Sequence, residues 1–196
     1  MGMANARTFM PVDEYLQGEL KTEIRHEYIN GTAYAIGGTS RNHNIVTRNL
    51  GTALHAALRG GPCQTFMADM KVHLRLGDDE LFYYPDVMVA CDPEDHHRYY
   101  LERPRVIAEV ASPATERVDR REKLLAYTRI DSLATYLLVE QERIAVQVYH
   151  RRADWSAEHL YAEDRLELPE LDWSLPVAEL YTGIDPNAIG EESAPP

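Results

Sequence analysis

The chain has little cysteine and no long apolar run. Its 196 residues include two cysteines, Cys63 and Cys91, which are too few for a disulfide framework and lack the spacing of zinc ligands. We therefore expect ordinary reduced thiols in the core. No stretch approaches the ~18 apolar residues that a membrane helix needs, and no signal peptide opens the chain. These absences predict a cytoplasmic protein.

Positive charge is also scarce. There are 20 Lys and Arg residues against 32 Asp and Glu, which gives a net charge of −12. Proteins that hold nucleic acid usually carry a basic surface, because contacts with phosphates supply much of the affinity. The overall balance therefore argues against tight, non-specific DNA binding.

The basic residues are unevenly distributed, and two interpretations of this stay open. They form either a basic rim around a site on an acidic body or a solvated helix face of mixed charge. The residues concerned are Arg98, Arg103, Arg105, Arg117, Arg120, Arg121, Lys123 and Arg129.

Length and hydrophobic content predict one globular domain. A chain of 196 residues that is 44% hydrophobic can bury a substantial core. We place the domain at residues 8–182 and expect residues 183–196 to form a polar, disordered tail.

Periodicity predicts an α/β arrangement. Helices are expected at 12–20, 41–59 and 116–130, and Asn30-Gly31 predicts a tight turn between strands 26–29 and 32–36. Further strands are predicted at 64–76, 85–90, 105–110, 135–139 and 144–150, and short edge strands at 158–161, 165–168 and 171–173.

Two carboxylates stand out because they fall on apolar strands. Asp86 precedes Val87-Met88-Val89-Ala90, and Glu109 lies within Val106-Ile107-Ala108-Glu109-Val110. Burying a carboxylate costs several kcal/mol unless it is paired or coordinated. Asp86 alone could be a turn residue that opens a strand, but Glu109 has no such explanation. Together they predict a metal site.

A helix that follows the second strand brings a lysine toward this site. Asp119, Lys123 and Tyr127 are four residues apart and share one helix face. We expect Ser112 and Thr115 to cap this helix, Asp119 to serve its N-terminus or pair with Lys123, and Tyr127 to pack the helix on the sheet.

The combined motif resembles a known family. Pro85-Asp86-Val87, then Glu109-Val110 with Ser112-Pro113, Thr115, Asp119, Lys123 and Tyr127, resembles the Uma-two family, a branch of the PD-(D/E)XK nuclease superfamily. Blocks at 25–31, 40–43 and 133–139 extend the resemblance over roughly residues 8–182. It implies a restriction-endonuclease-like α/β domain, with a mixed twisted sheet flanked by helices, an αβββαβ core and extra C-terminal strands. Periodicity gives the same core order independently.

The resemblance implies a metal-dependent endonuclease that hydrolyses DNA phosphodiester bonds through a metal-activated water. Asp86, Glu109 and the backbone carbonyl of Val110 would hold Mg²⁺ or Mn²⁺. The usual superfamily lysine lies two residues beyond the second acid, and that position is Ala111 here. We expect Lys123 to replace it, with Lys71 of Asp69-Met70-Lys71 as the alternative.

Two further residues match family blocks. Glu27 could be an extra ligand, and His43 could hold a metal-bound water or simply begin a helix. Because Ala111 replaces the usual lysine, an alternative function is a non-catalytic, dimeric interaction or regulatory protein that retains the nuclease fold. We expect a homodimer in either case.

Overall fold

The computed structural model describes residues 9–111 and 116–185, with side chains from residue 122 onward in the second range. The cap assignments of Ser112 and Thr115 and the role predicted for Asp119 therefore lie outside the described residues. So do the side chains of Arg117, Arg120 and Arg121 and most of the predicted tail.

The described chain contains three α-helices: α1 (Val12–Glu19), α2 (Arg41–Leu58) and α3 (Glu116–Tyr127). Its strands are β1 (His26–Ile29), β2 (Thr32–Ala35), β3 (Gln64–Met67), β4 (Lys71–Leu76), β5 (Asp79–Tyr83), β6 (Val87–Ala90), β7 (Tyr100–Leu101), β8 (Pro104–Ala111), β9 (Thr135–Glu140), β10 (Ala145–His150), β11 (Ala157–Tyr161), β12 (Arg165–Leu168) and β13 (Trp173–Pro176). Short 3₁₀ helices cover Arg151–Ala153, Pro169–Leu171 and Val177–Tyr181. None of the described helices is long and apolar enough to cross a membrane.

The strands form two sheets and one hairpin. The larger sheet has the order β11-β10-β9-β8-β6-β3, and the smaller has the order β2-β1-β5-β4-β7. Strands β8 and β9 are parallel and are connected through α3, while β6 pairs with β8 antiparallel. Strands β12 and β13 pair separately. The predicted fold, a mixed sheet flanked by helices with extra C-terminal strands, is confirmed.

The larger sheet is buried on both faces, which explains its continuous apolar strands. On one face, Val87, Val89 and Val106 pack with Leu50 and Leu54 of α2. On the other face, Met88, Ile107 and Leu138 pack with Tyr83 of the smaller sheet and Tyr127 of α3. The second face is the one that carries Glu109, because Glu109 and Ile107 are two residues apart on β8.

The β1–β2 hairpin forms at the predicted turn. Asn30 and Gly31 both have positive φ, at 41° and 84°, as a tight hairpin turn requires. The φ of Gly31 favours glycine, and a Cβ there would also lie 2.2 Å from the exposed ring of Phe9, which would have to move. This turn fixes the register of Glu27 opposite Tyr34.

The sequence prediction was wrong about two strands. The strand predicted at 171–173 is displaced, because Leu171 ends a 3₁₀ helix and β13 covers Trp173–Pro176. The segment predicted as one strand at 64–76 forms β3 and β4, which belong to different sheets. Ala68, with φ of 51°, interrupts the extended chain between them. Strands β5 and β7 were not predicted.

The cysteines also differ from the expectation of reduced thiols, because the structure joins Cys63 to Cys91 in a disulfide. They are 28 residues apart in sequence. The register of β3 on β6 pairs Gln64 with Ala90, and the next position outward brings the two cysteines together. That proximity depends on strand pairing, and spacing alone does not reveal it.

Candidate functional site

Asp86 and Glu109 lie side by side on neighbouring strands. The register pairs Val87 with Ala108, so the next position places Asp86 beside Glu109. The backbone N–H of Val110 donates to Asp86 Oδ2 at 2.7 Å. The side chains of Asp86 and Glu109 are 18% and 10% exposed. The fold therefore brings together the two acids that the sequence singled out, at a partly buried position.

Lys123 of α3 reaches this pair. Its Nζ lies 3.3 Å from Glu109 Oε1 and 2.8 Å from Glu27 Oε1, and its side chain is 9% exposed. The ammonium also stands over the ring of Tyr83, 5.5 Å from the centroid. Lys123 thus bridges an acid of the larger sheet and an acid of the smaller sheet.

Glu27 comes to the site from β1 of the smaller sheet. The pairing of Tyr28 with Phe82 sets Glu27 beside Tyr83, which faces α3. The site is therefore built between two sheets. The structure shows Glu27 in contact with Lys123. Its predicted role as an extra metal ligand stays a prediction.

Tyr127 is buried beside Glu109. Its hydroxyl donates to Glu109 Oε1 at 2.7 Å, and the residue is 0% exposed. Its ring packs edge-on against Tyr83, with centroids 5.6 Å apart. Tyr127 packs α3 on the sheet, as the sequence predicts, and in addition it contacts a candidate ligand.

His43 reaches Asp86 from the first turn of α2. Its Nε2 lies 3.2 Å from Asp86 Oδ2. The N-cap Ser40 accepts a hydrogen bond from the His43 backbone N–H at 3.1 Å and donates one to Gln141 Oε1 in the β9–β10 turn. His43 thus lies in the first turn of α2 and also contacts the site, while its role in holding a metal-bound water stays a prediction.

Burial and like charge disturb the ionisation of Glu109. The pKa of Glu109 is raised to about 8, chiefly by burial and also by the nearby carboxylates of Asp86 and Glu27, while Lys123 and the Tyr127 hydroxyl oppose the rise. The site therefore gathers three carboxylates, and two of them, Glu27 and Glu109, contact the single ammonium of Lys123. Such an excess of negative charge is what a bound cation would offset.

Lys71 lies in a different environment. Its Nζ donates to the hydroxyl of Tyr84 at 3.2 Å, and that hydroxyl donates to Glu19 Oε2 at 2.6 Å. Since Val72 pairs with Tyr83, Lys71 and Tyr84 occupy the opposite face of the smaller sheet from Glu27. The structure therefore does not bring Lys71 to Asp86 and Glu109.

The predicted basic rim is only partly described. Lys123 faces the interior, and the exposed guanidinium of Arg103 pairs with Asp92 at 2.9 Å. The choice between a rim and a mixed-charge face depends largely on Arg117, Arg120 and Arg121, whose side chains are not described.

The donor set suits a hard cation held by few protein groups. Among the described residues, no three His, Cys, Asp or Glu side chains are arranged to hold a metal ion. Mg²⁺ is commonly bound by one or two carboxylates, with waters and phosphates completing its shell. The Val110 N–H donates to Oδ2 of Asp86, and the Tyr127 hydroxyl donates to Oε1 of Glu109. Neither of these two bonds uses the other oxygen of its carboxylate. The two carboxylates therefore fit such an ion, and the Val110 carbonyl as a further ligand stays a prediction.

Sequence reasoning missed two residues at the site. Tyr83 lies under the Lys123 ammonium, and Gln141 anchors the cap of α2. The short apolar run Leu81-Phe82-Tyr83 could have indicated β5 and hence Tyr83. No local signal marks Gln141, since its partner is 101 residues away.

Comparisons with known proteins show the family to which the chain is similar. The model of the family Uma2, described as "Putative restriction endonuclease", matches residues 12–178. An uncharacterized protein of Synechocystis is 35% identical over 175 residues, covering 88% of this chain and 91% of the relative. A second uncharacterized Synechocystis protein is 34% identical over 156 residues, covering 77% and 87% respectively.

One solved structure has the same fold. It is a crystal structure from Anabaena variabilis, titled as a "putative nuclease belonging to DUF820". The TM-score is 0.67 at 16% sequence identity, over 85% of this chain and 97% of that chain. At this identity the likeness concerns the fold alone.

Proposed function

The chain belongs to the Uma2 family, which is described as "Putative restriction endonuclease", and we propose that it hydrolyses DNA phosphodiester bonds with Mg²⁺ or Mn²⁺. The observation that carries the proposal is the cluster of Asp86, Glu109 and Lys123, with the ammonium 3.3 Å from Glu109. Asp86, Glu109 and the Val110 carbonyl would hold the ion. When bound, it would supply positive charge for the phosphate and acidify a water.

The chain's own residues have distinct tasks in this proposal. The Lys123 ammonium orients the attacking water or stabilises charge on the phosphate. Ala111, which occupies the position of the usual superfamily lysine, has no group that could do this. Glu27 keeps that ammonium aimed at Glu109 through its 2.8 Å contact. His43 contacts Asp86 and stands where it can hold a water near the first acid.

Metal binding and cleavage test this function separately. Calorimetry would measure Mn²⁺ binding to the wild type and to Asp86→Asn and Glu109→Gln, which keep side-chain size, with circular dichroism to check folding. Asp69→Asn is the matched control, because Asp69 is a 76% exposed acid that pairs with Arg25. We expect binding by the wild type and Asp69→Asn, and loss of binding in both site variants.

Cleavage of single-stranded, double-stranded and branched DNA would follow on the same proteins. Metal-dependent cleavage that disappears in Asp86→Asn supports the proposed enzyme. If no protein binds Mn²⁺, or all bind alike, Asp86 and Glu109 are not a metal site, and the non-catalytic interaction protein becomes the better description.

We also propose a homodimer, in which two sites would act on two strands. Small-angle scattering would test it, and a mass equal to that of one chain would contradict it. The enzyme proposal does not depend on this outcome.

A further inference from the structure

Helix α3 brings two donors to a single carboxylate oxygen. Tyr127 Oη lies 2.7 Å and Lys123 Nζ lies 3.3 Å from Glu109 Oε1. The two donors are four residues apart, which places them one helical turn apart on the same face. We propose that Tyr127 is a positioning residue, which holds Glu109 against Lys123 and leaves the second Glu109 oxygen for the cation. This inference rests on the proposed function.

The hydroxyl of Tyr127 is not needed for packing. The ring packs against Tyr83 and Tyr136 at centroid distances of 5.6 Å and 5.5 Å, and a phenylalanine ring could make the same contacts. A hydroxyl in a fully buried residue is costly unless it is hydrogen-bonded. Its acceptor here is Oε1 of Glu109, so this bond satisfies the buried hydroxyl.

The location of Lys123 on α3 explains why a positioning residue such as Tyr127 is needed. A lysine at the Ala111 position would have its backbone on β8 together with Glu109, so one strand would set the distance between them. Lys123 instead comes from α3, and its distance from Glu109 depends on how α3 sits on the sheet. The bond from Tyr127 to Glu109 joins α3 to β8 one turn from Lys123 and fixes that distance.

The test is Tyr127→Phe, which removes one oxygen and keeps the ring. Calorimetry would measure Mn²⁺ affinity, and DNA cleavage would be resolved into kcat and KM. Tyr28→Phe is the matched control, since Tyr28 is 1% exposed and its hydroxyl donates to the Met10 carbonyl at 2.7 Å in another part of the core. Thermal melting of both variants would measure the purely structural effect.

We expect Tyr127→Phe to weaken Mn²⁺ binding by roughly 10- to 100-fold, as is typical when a group that orients a metal ligand is removed. Its kcat should fall while KM for DNA changes little, and Tyr28→Phe should bind Mn²⁺ like the wild type. Wild-type Mn²⁺ affinity and kcat in Tyr127→Phe would overturn the inference and leave the proposed function intact. A wild type that neither binds Mn²⁺ nor cleaves DNA would overturn both.

Discussion

Lys123 and Lys71 are two buried lysines with similar surroundings and different partners. They are 7% and 6% exposed, and each ammonium lies over a tyrosine ring, at 5.5 Å and 5.0 Å. Lys123 contacts two carboxylates directly. Lys71 donates to the neutral hydroxyl of Tyr84, and that hydroxyl in turn donates to Glu19.

This difference separates a candidate for chemistry from a structural residue. The partners of Lys123 come from both sheets, and one of them, Glu109, has a pKa raised to about 8. The partners of Lys71 hold α1 on the smaller sheet, because Glu19 belongs to that helix and also binds His26. Burial of a lysine is therefore a poor guide to function unless the number of charged neighbours is considered as well.

The largest expected effect distinguishes the two lysines by activity. Lys123→Met should lower metal-dependent DNA cleavage by roughly 100-fold or more, because it removes a group that assists proton transfer or charge stabilisation. Lys71→Met should leave kcat nearly unchanged, because its contacts lie on the opposite face of the smaller sheet. Single-turnover cleavage measures both, with circular dichroism to check that each variant is folded. Equal losses in the two variants would remove the distinction between them.

The second expected effect concerns stability without metal. Since the Glu109 pKa is raised above its ordinary value of 4.5, to about 8, the fold disfavours its ionised form. The unfolded chain ionises first as pH rises, so the wild type loses stability between about pH 4.5 and pH 8. Glu109→Gln cannot ionise and should be more stable than the wild type at pH 8, by on the order of 2 kcal/mol.

Glu19→Gln is the matched comparison at the Lys71 cluster. Glu19 accepts hydrogen bonds from the Tyr84 hydroxyl and the His26 ring. A glutamine amide cannot accept both hydrogen bonds as the carboxylate does, so the free energy of unfolding of this variant should fall by roughly 1 to 3 kcal/mol. Urea unfolding at pH 8 in the presence of a chelator measures both variants. Destabilisation by Glu109→Gln would show that the site acids support the fold as Glu19 does.

Some of the site could be predicted from the sequence, because its signals are local. Asp86 and Glu109 interrupt apolar strands, and Lys123 and Tyr127 share a helix face. These patterns place the acids on adjacent strands and the lysine on the helix that follows. Their roles in catalysis and metal binding stay predictions, which the variants above would test.

The contacts that complete the site are not local. Glu27 meets Lys123 only because the smaller sheet packs against α3, and no spacing in the sequence encodes that packing. The first residues of β5, Asp79 and Glu80, are polar, although the strand ends in three buried positions. Pairing across sheets depends on the whole fold, which is why Tyr83 and the Cys63–Cys91 disulfide were missed.

The smallest expected effect concerns the pH dependence of stability at Lys71. Burial lowers the pKa of Lys71, with a further lowering from Arg25, against Glu19 and Asp69. As pH rises toward 10.5, the folded protein releases this proton before the unfolded chain does, so the wild type gains stability in that range. Lys71→Met lacks this gain. The melting temperature of the wild type relative to that of Lys71→Met should therefore rise between pH 8 and pH 10. Lys21→Met, at an exposed lysine, is the matched control. A constant difference for Lys71→Met would mean that Lys71 stays charged in the fold, and the Tyr84–Glu19 pair would then act as its counter-ion.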